Sequence, residues 1–357
     1  MNSNLALQRI LRQGLSYPVF DDPVSVVKYM AGIQAQDFEM AKWAVAIRMQ
    51  NPGLEKINLA LDLGMILRAH IFRPTWHLIP GEDYVWMNRF SAPFLRKGHY
   101  GRFKQLGLNE TLLKKTRKLI HKSLLARPCL TRHQILEVFH RHKIKPDNLQ
   151  LIHIFYDAEL EGLICSGPLK GKNPTYSLVE QRVPSPVKKS TEEALAELTL
   201  RYFQSHGPAT LHDLTKWMTI PVKTARLGIE MNKSSLDQLE INGKVHWFTD
   251  PPKPAGPGLR PFLLLPAYDE YLIGYADRSF ALKPEFIPST MTSNGILHPT
   301  LLYRGKVLGL WKRKSGSAGL TVKPSWFSKP NQAQQSLLEQ SVRNYGRFFN
   351  MSVHLIE

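Results

Sequence analysis

A chain of 357 residues with 43% hydrophobic residues is long enough for several small modules and too apolar for disorder to be its default state. Lys+Arg number 47 against Asp+Glu 29, a formal net charge of +18, which points to a polyanionic partner, nucleic acid ahead of a membrane surface. The two cysteines, Cys129 and Cys165, fit buried thiols in a reducing compartment rather than a disulfide framework, and no pair of them has zinc spacing. With no apolar leader and no apolar run of membrane-spanning length, a cytoplasmic protein with no membrane contact is expected.

Apolar periodicity first marks a helix over 24–33. Next comes Gln34-Ala35-Gln36, two amides two residues apart, and then a helix over 37–49 for which Asp37 is a natural N-cap. An amide is neither a strong acid nor a strong base, but its carbonyl oxygen can hold a water or a developing positive centre. Positions i and i+2 share no helix face. The pair therefore needs extended or turned backbone, which the gap between the two helices offers. A helix over 54–63 follows, then strands at 65–70 and 75–79 joined by Ile71-Phe72-Arg73-Pro74.

Residues 111–124 carry apolar positions at helical spacing among Lys114, Lys115 and Lys118, and Pro128 breaks the run. Thr131 caps the next helix, with Gln134 completing a capping box. Asp147-Asn148 opens a third helix, 149–160, which Gly162 ends. Strands at 163–166 and 175–179 then flank a turn built on Gly167, Gly171 and Asn173-Pro174. Three helices followed by a hairpin is the winged helix-turn-helix pattern. It recurs as helices 191–204, 211–217 and 221–231, the last carrying Lys223 and Arg226, followed by strand character over 239–248. Residues 24–79 make a looser copy. A repeated unit outweighs any single motif in deciding architecture. A Pro/Gly linker at 250–261 precedes β texture at 261–266, 271–275, 300–303 and 306–311, a tight turn at Arg304-Gly305, a helix over 332–348 and a closing strand at 352–356. The expected fold class is α+β: three tandem winged helix-turn-helix units (1–105, 106–186, 187–255) followed by a small C-terminal β-barrel-like domain (256–357).

Such units place a helix in the major groove. The lysines on 111–124 suit phosphate contacts, which give affinity without sequence choice. Lys312, Arg313 and Lys314 lead into Ser315-Gly316-Ser317-Ala318-Gly319, a basic hairpin suited to probing DNA. The cluster His140-Arg141-His142-Lys143 reads as a solvated helix end, and no metal is expected. A transcriptional regulator without catalysis is the alternative. Three tandem modules with no evident dimerisation helix or ligand domain weigh against it.

Four tracts carry a resemblance. They are Gly32-Ile33-Gln34-Ala35-Gln36-Asp37 with Ala41-Lys42-Trp43-Ala44; Leu67-Arg68-Ala69-His70-Ile71-Phe72-Arg73-Pro74-Thr75-Trp76-His77-Leu78; Leu265-Pro266-Ala267-Tyr268-Asp269-Glu270-Tyr271-Leu272-Ile273-Gly274-Tyr275-Ala276-Asp277-Arg278-Ser279; and His298-Pro299-Thr300-Leu301-Leu302 with Gly305-Lys306-Val307-Leu308-Gly309-Leu310-Trp311-Lys312-Arg313. In this order the chain resembles the AlkZ-like winged-helix DNA glycosylases of bacteria. The resemblance implies three winged helices and a β-barrel around a basic channel, and excision of alkylated purines, with interstrand crosslinks unhooked by some members. Gln34 and Gln36 match the family's Gln-x-Gln form. Other members carry Asp in place of the second Gln; Asp37 comes one residue later, so that role does not transfer to it.

A purine alkylated at N7 or N3 is already cationic and leaves as a neutral base, so two amides can suffice. They would orient the attacking water against C1′ and stabilise the oxocarbenium-like sugar. Asp37, His70, His77, Tyr268, Asp269 and Glu270 are candidate supporting residues. Arg68, Arg73, Lys114, Lys115, Lys118, Lys223, Arg226, Arg278, Lys312, Arg313 and Lys314 are candidate DNA contacts. No cofactor is expected. The expected partner is double-stranded DNA with alkylated bases, bound by a monomer that is nucleoid-associated when engaged in repair.

Overall fold

The computed structural model describes residues 2–171, 173–251, 260–316 and 319–356. Its contacts divide the chain into two units. One comprises Met1–Ile57, Ala196–Trp217 and Pro221–Glu357, the other Asn58–Leu195 and Met218–Ile220. The fold is mixed α+β.

In the second unit, helices Glu110–Ala126, Arg132–Arg141 and Asn148–Leu160 bury one face each: Leu113, Ile120 and Leu124 from the first, Ile135 and Phe139 from the second, Ile154, Phe155 and Ala158 from the third. Local chemistry sets their starts. Thr131 with Gln134, and Asp147 with Gln150, form complete capping boxes. Strand Thr175–Leu178 then pairs antiparallel with both Leu130–Thr131 and Ile164–Ser166. A separate antiparallel hairpin joins Ile66–His70 to Trp76–Pro80, with Arg68 opposite Leu78 and His70 opposite Trp76.

The 22-residue helix Tyr84–Gln105 has no counterpart in the sequence expectation. Its first half buries Tyr84, Trp86, Met87, Asn88, Phe90, Ser91, Ala92 and Leu95, a face that includes the polar Asn88 and Ser91, while Arg89 and Pro93 are exposed, and its second half is mostly exposed. It therefore shows no apolar stripe, and Pro93 interrupts it. The N-terminal helix Asn2–Arg12 was likewise not anticipated.

In the first unit, five strands form a sheet in the order Val353–Leu355, Gly319–Trp326, Lys306–Gly316, Thr300–Tyr303, Phe262–Leu265. Only the pair involving Val353–Leu355 is parallel. Helix Gln332–Phe348 buries Leu338, Val342, Tyr345 and Phe348 and packs on the Phe262–Leu265 strand. The Trp43 and Trp311 rings meet Tyr345 edge-on at 5.0 and 5.1 Å. Buried indoles need a partner for their N–H: Trp43 Nε1 donates to Leu264 O (2.7 Å) and Trp311 Nε1 to Leu265 O (2.8 Å).

Helices Thr191–His206, Leu211–Met218 and Val222–Met231 precede the hairpin Asp237–Ile241/Lys244–Phe248, which turns at Asn242-Gly243 with φ of 50° and 72°. Ala209 bridges Trp247 across this hairpin, as Leu130 pairs with Tyr176 in the second unit.

Two readings of the β-rich segment are corrected. Residues 271–275 are not a strand: Glu270–Ile273 is a short helix capped by Asp269, and a short buried apolar run does not by itself separate the two possibilities. The strand expected at 306–311 runs on to Gly316, and its partner Gly319–Trp326 was missed because Lys323-Pro324-Ser325 breaks the apolar pattern. Most of the expected linker (252–259) and the tip of the expected basic hairpin (317–318) lie outside the described residues.

Candidate active site

Helix Pro23–Tyr29 ends in a left-handed turn. Ala31 has φ 55° and Gly32 φ 124°, a value a side chain would strain, and the Gly32 N–H returns to Val27 O at 3.2 Å. The chain leaves this turn as the short strand Ile33–Gln34. Asp37 then caps helix Phe38–Ala46, its Oδ1 accepting the Met40 N–H at 3.0 Å. The two glutamines thus lie on non-helical backbone between helices, as their spacing requires. Gln34 is 5% exposed, whereas Gln36 is exposed. The Gln34 backbone N–H donates to Glu270 Oε1 at 3.0 Å. Its side-chain Oε1 is buried and accepts no hydrogen bond among the described residues. An orphaned buried acceptor costs about 1–3 kcal/mol, so a fold that keeps one has a reason beyond stability.

Glu270 is fully buried, and its Oε2 accepts from Trp217 Nε1 at 2.9 Å and lies 3.5 Å from His206 Nε2. Asp269 takes both arms of Arg48, each at 2.9 Å, while Arg48 also donates to Ala44 O and Gln13 Oε1. Arg48 thereby ties the end of the helix after the glutamines to the 269–270 turn. Tyr268 has φ 59°, and burial together with the Asp37 carboxylate raises its phenol above the usual range. Arg313 lies 3.5 Å from Asp37 Oδ1 and donates to the Tyr345 hydroxyl at 3.0 Å. Lys312 and Lys314, flanking it on the strand, are exposed, and Lys312 stands opposite Lys323. Like charges paired across a strand are unfavourable unless an anion lies near.

Against this geometry, residues 27–348 match the family model described as DNA glycosylase AlkZ-like. The chain belongs to the AlkZ-like DNA glycosylases. It is 22% identical over 325 residues to the interstrand DNA cross-link repair glycosylase of Streptomyces sahachiroi, covering 85% of each chain. It shares its fold with the solved structure of Streptomyces sahachiroi DNA glycosylase AlkZ, at a TM-score of 0.76 and 19% identity over 99% of both chains. These matches make the protein a DNA glycosylase and lend nothing to a non-catalytic regulator. Among the described residues no helix is long and apolar enough to cross a membrane, and no group of three or more His, Cys, Asp or Glu is placed to hold a metal.

The remaining candidates of this AlkZ-like chain fall in several places. In the second unit, His70 Nδ1 lies 2.7 Å from Glu159 Oε2, and its ring lies 4.0 Å from the Trp76 ring with the planes tilted by 40°. Trp76 is half-buried, with the Arg68 guanidinium 4.5 Å from its ring centre. His77 is buried, with Nδ1 3.0 Å from Thr75 O and Nε2 3.0 Å from Arg73 Nη2. Those partners assign the proton to Nδ1. Lys114, Lys115 and Lys118 are exposed on Glu110–Ala126, and in the first unit Lys223 and Arg226 are exposed on Val222–Met231. Arg278 is 8% exposed, and its Nε donates to Leu272 O at 2.8 Å, which braces the 272–278 turn.

Sequence reasoning passed over Arg48, His206 and Trp217. Arg48 carried a signal: a lone arginine in Ala44-Val45-Ala46-Ile47-Arg48-Met49 demands a buried carboxylate. His206 and Trp217 carried none, since only the fold brings them to Glu270.

Proposed function

We propose that this DNA glycosylase hydrolyses the N-glycosidic bond of cationic N7- or N3-alkylated purines in double-stranded DNA, acting as a monofunctional enzyme of alkylation repair. Water adds at C1′ as the C1′–N bond breaks, the bonding pair leaves with the base, which departs neutral because alkylation already gave it a positive charge, and the proton lost by the added water passes to solvent. The observation that carries this reading is the buried Gln34 Oε1, which accepts no hydrogen bond among the described residues and belongs to a residue whose backbone N–H is held by Glu270. Such an oxygen suits an attacking water or the positive sugar. Gln36, exposed two residues on, suits contact with the water or the DNA from the solvent side.

The name of the Streptomyces relative concerns interstrand crosslinks. We extend the proposal to bulky adducts and crosslinks, whose linked bases are cationic for the same reason. We also read the recurring three-helix-and-hairpin order as three winged helix-turn-helix units (1–105, 106–186, 187–255) ahead of a barrel-like domain (256–357). The exposed Lys114, Lys115, Lys118, Lys223, Arg226, Lys312 and Lys314 would supply phosphate contacts to the duplex.

The test is excision on a panel of duplexes carrying N7-methylguanine, N3-methyladenine or a nitrogen-mustard crosslink, with abasic sites detected by alkaline cleavage. Activity on the cationic lesions and none on uracil is expected. Unimpaired excision by both Gln34→Ala and Gln36→Ala would remove the pair from the mechanism.

A further inference from the structure

We propose that Glu270, hydrogen-bonded by Trp217 with His206 alongside, is the positioning residue of base excision: it holds Gln34 so that its side-chain oxygen stays directed at the reacting sugar and water. The proposal rests on the reading of Gln34 given above. A carboxylate withdrawn from water is costly unless every lone pair is engaged. Each oxygen of Glu270 accepts a hydrogen bond from a separate part of the chain. Oε1 accepts the Gln34 backbone N–H at 3.0 Å, Oε2 accepts Trp217 Nε1–H at 2.9 Å, and His206 Nε2 stands 3.5 Å from Oε2.

The imidazole is itself held. Its Nδ1 lies 2.8 Å from Ser205 Oγ, its ring stacks on Tyr202 at 4.8 Å with planes 12° apart, and Tyr275 donates its hydroxyl proton to His206 O. Position 274 has no room for a side chain: a Cβ there would come within 2.6 Å of both Glu270 O and His206 Cδ2. Burial raises the Tyr202 and Tyr275 phenols far above neutrality, so both rings facing His206 stay uncharged. Arg9, over the Tyr275 ring at 3.8 Å, is itself paired with Asp213 at 3.8 Å.

Two consequences follow. The Gln34 backbone is fixed by a charge-assisted hydrogen bond, stronger than a neutral one, so the strand does not relax to satisfy its orphaned Oε1. The carboxylate also brings to the Gln34 strand a charge of the sign that favours a positively charged sugar.

Single-turnover excision of N7-methylguanine from a duplex at saturating enzyme tests this, because its rate constant reports the bound complex and does not depend on the folded fraction while folded enzyme stays in excess. Glu270→Gln is expected to lower the rate constant on the order of 10²-fold with the dissociation constant for DNA unchanged. Trp217→Phe, which removes one donor and keeps an aromatic ring, is expected to lower it less, again without a change in binding. If Glu270→Gln does not fold, Trp217→Phe decides. A wild-type rate constant in a folded Glu270→Gln, or in Trp217→Phe when Glu270→Gln is unfolded, overturns the proposal. Wild-type protein and Gln34→Ala run alongside separate the two failures. An inactive wild type sinks the substrate reading, and a fully active Gln34→Ala sinks the Gln34 assignment. With an active wild type and an impaired Gln34→Ala, the Glu270 and Trp217 variants decide whether Glu270 positions the amide.

Discussion

Each unit buries a glutamate against a histidine, and the two pairs do different work. In the second unit, Glu159 is 1% exposed and lies 2.7 Å from His70; in the first, Glu270 and His206 are both fully buried, 3.5 Å apart. Glu159 Oε2 also takes the His70 backbone N–H at 3.4 Å, while the Glu159 carbonyl accepts from Tyr84 and Asn88, both at 3.2 Å. That pair fastens the end of a hairpin to a helix. Glu159 Oε1, part of the pair itself, accepts no hydrogen bond among the described residues. Beside Glu270, Gln34 Oε1, a neutral amide oxygen on a residue whose backbone N–H the carboxylate holds, accepts no hydrogen bond among the described residues. The same costly device secures structure in one place and keeps a reactive group unsatisfied in the other.

The largest effect that can break this contrast is on catalysis. Gln34→Ala is expected to slow excision on the order of 10²- to 10³-fold. Its melting temperature should not fall through the lost side-chain oxygen, because that oxygen has no partner to lose. Glu159→Ala should do the reverse. Removing one member of a buried pair costs about 3 kcal/mol, visible as a lower denaturation midpoint, while the excision rate constant of the folded fraction changes little. A catalytic collapse in Glu159→Ala at normal stability would erase the distinction.

Cysteine labelling sharpens the comparison with a smaller effect. Cys165 is fully buried near Glu159, and burial pushes its thiol up to about 12. A thiol raised in the folded state favours the protonated form. Its stabilising contribution is complete below the ordinary thiol value and is lost as pH rises through about 12. At pH 8 a thiol reagent should therefore modify the half-buried Cys129 first and reach Cys165 only when the unit opens. Glu159→Ala should speed labelling of Cys165; Glu270→Gln should not. Equal acceleration by both variants would mean that the two pairs support one cooperative structure.

Parts of this contrast were readable before the fold was known. The i and i+2 spacing of Gln34 and Gln36 excluded a helix between them, and the backbone there is a strand leaving a glycine turn. Capping chemistry at Thr131 and Asp147 located helix starts to within one residue, because an N-cap is a local interaction. The Glu270 ligands were not readable. Trp217 lies 53 residues from Glu270 in sequence, and neither it nor His206 departs from what an ordinary core aromatic or histidine looks like in its own helix. Helix Tyr84–Gln105 escaped for a related reason: polar Asn88 and Ser91 on its buried face, Pro93 inside it and a mostly exposed second half blur the periodic stripe by which helices are recognised.

The smallest expected effect concerns Asp37. Its carboxylate caps Phe38–Ala46 through Met40 N–H at 3.0 Å, as Asp147 caps Asn148–Leu160 through Gln150 N–H at 2.8 Å. The first cap adjoins Gln36, and the second lies in the helical core of the other unit, so the two form a matched control. Loss of an N-cap costs about 1 kcal/mol, and Asp37→Ala and Asp147→Ala should lower the denaturation midpoint by similar amounts. Asp37 differs in having Arg313 at 3.5 Å, but with 41% of its side chain exposed that contact adds little. If Asp37 is a cap and no more, both variants keep the wild-type single-turnover rate constant. A rate loss confined to Asp37→Ala, at the same stability as Asp147→Ala, would instead place this carboxylate in the excision step alongside the glutamines.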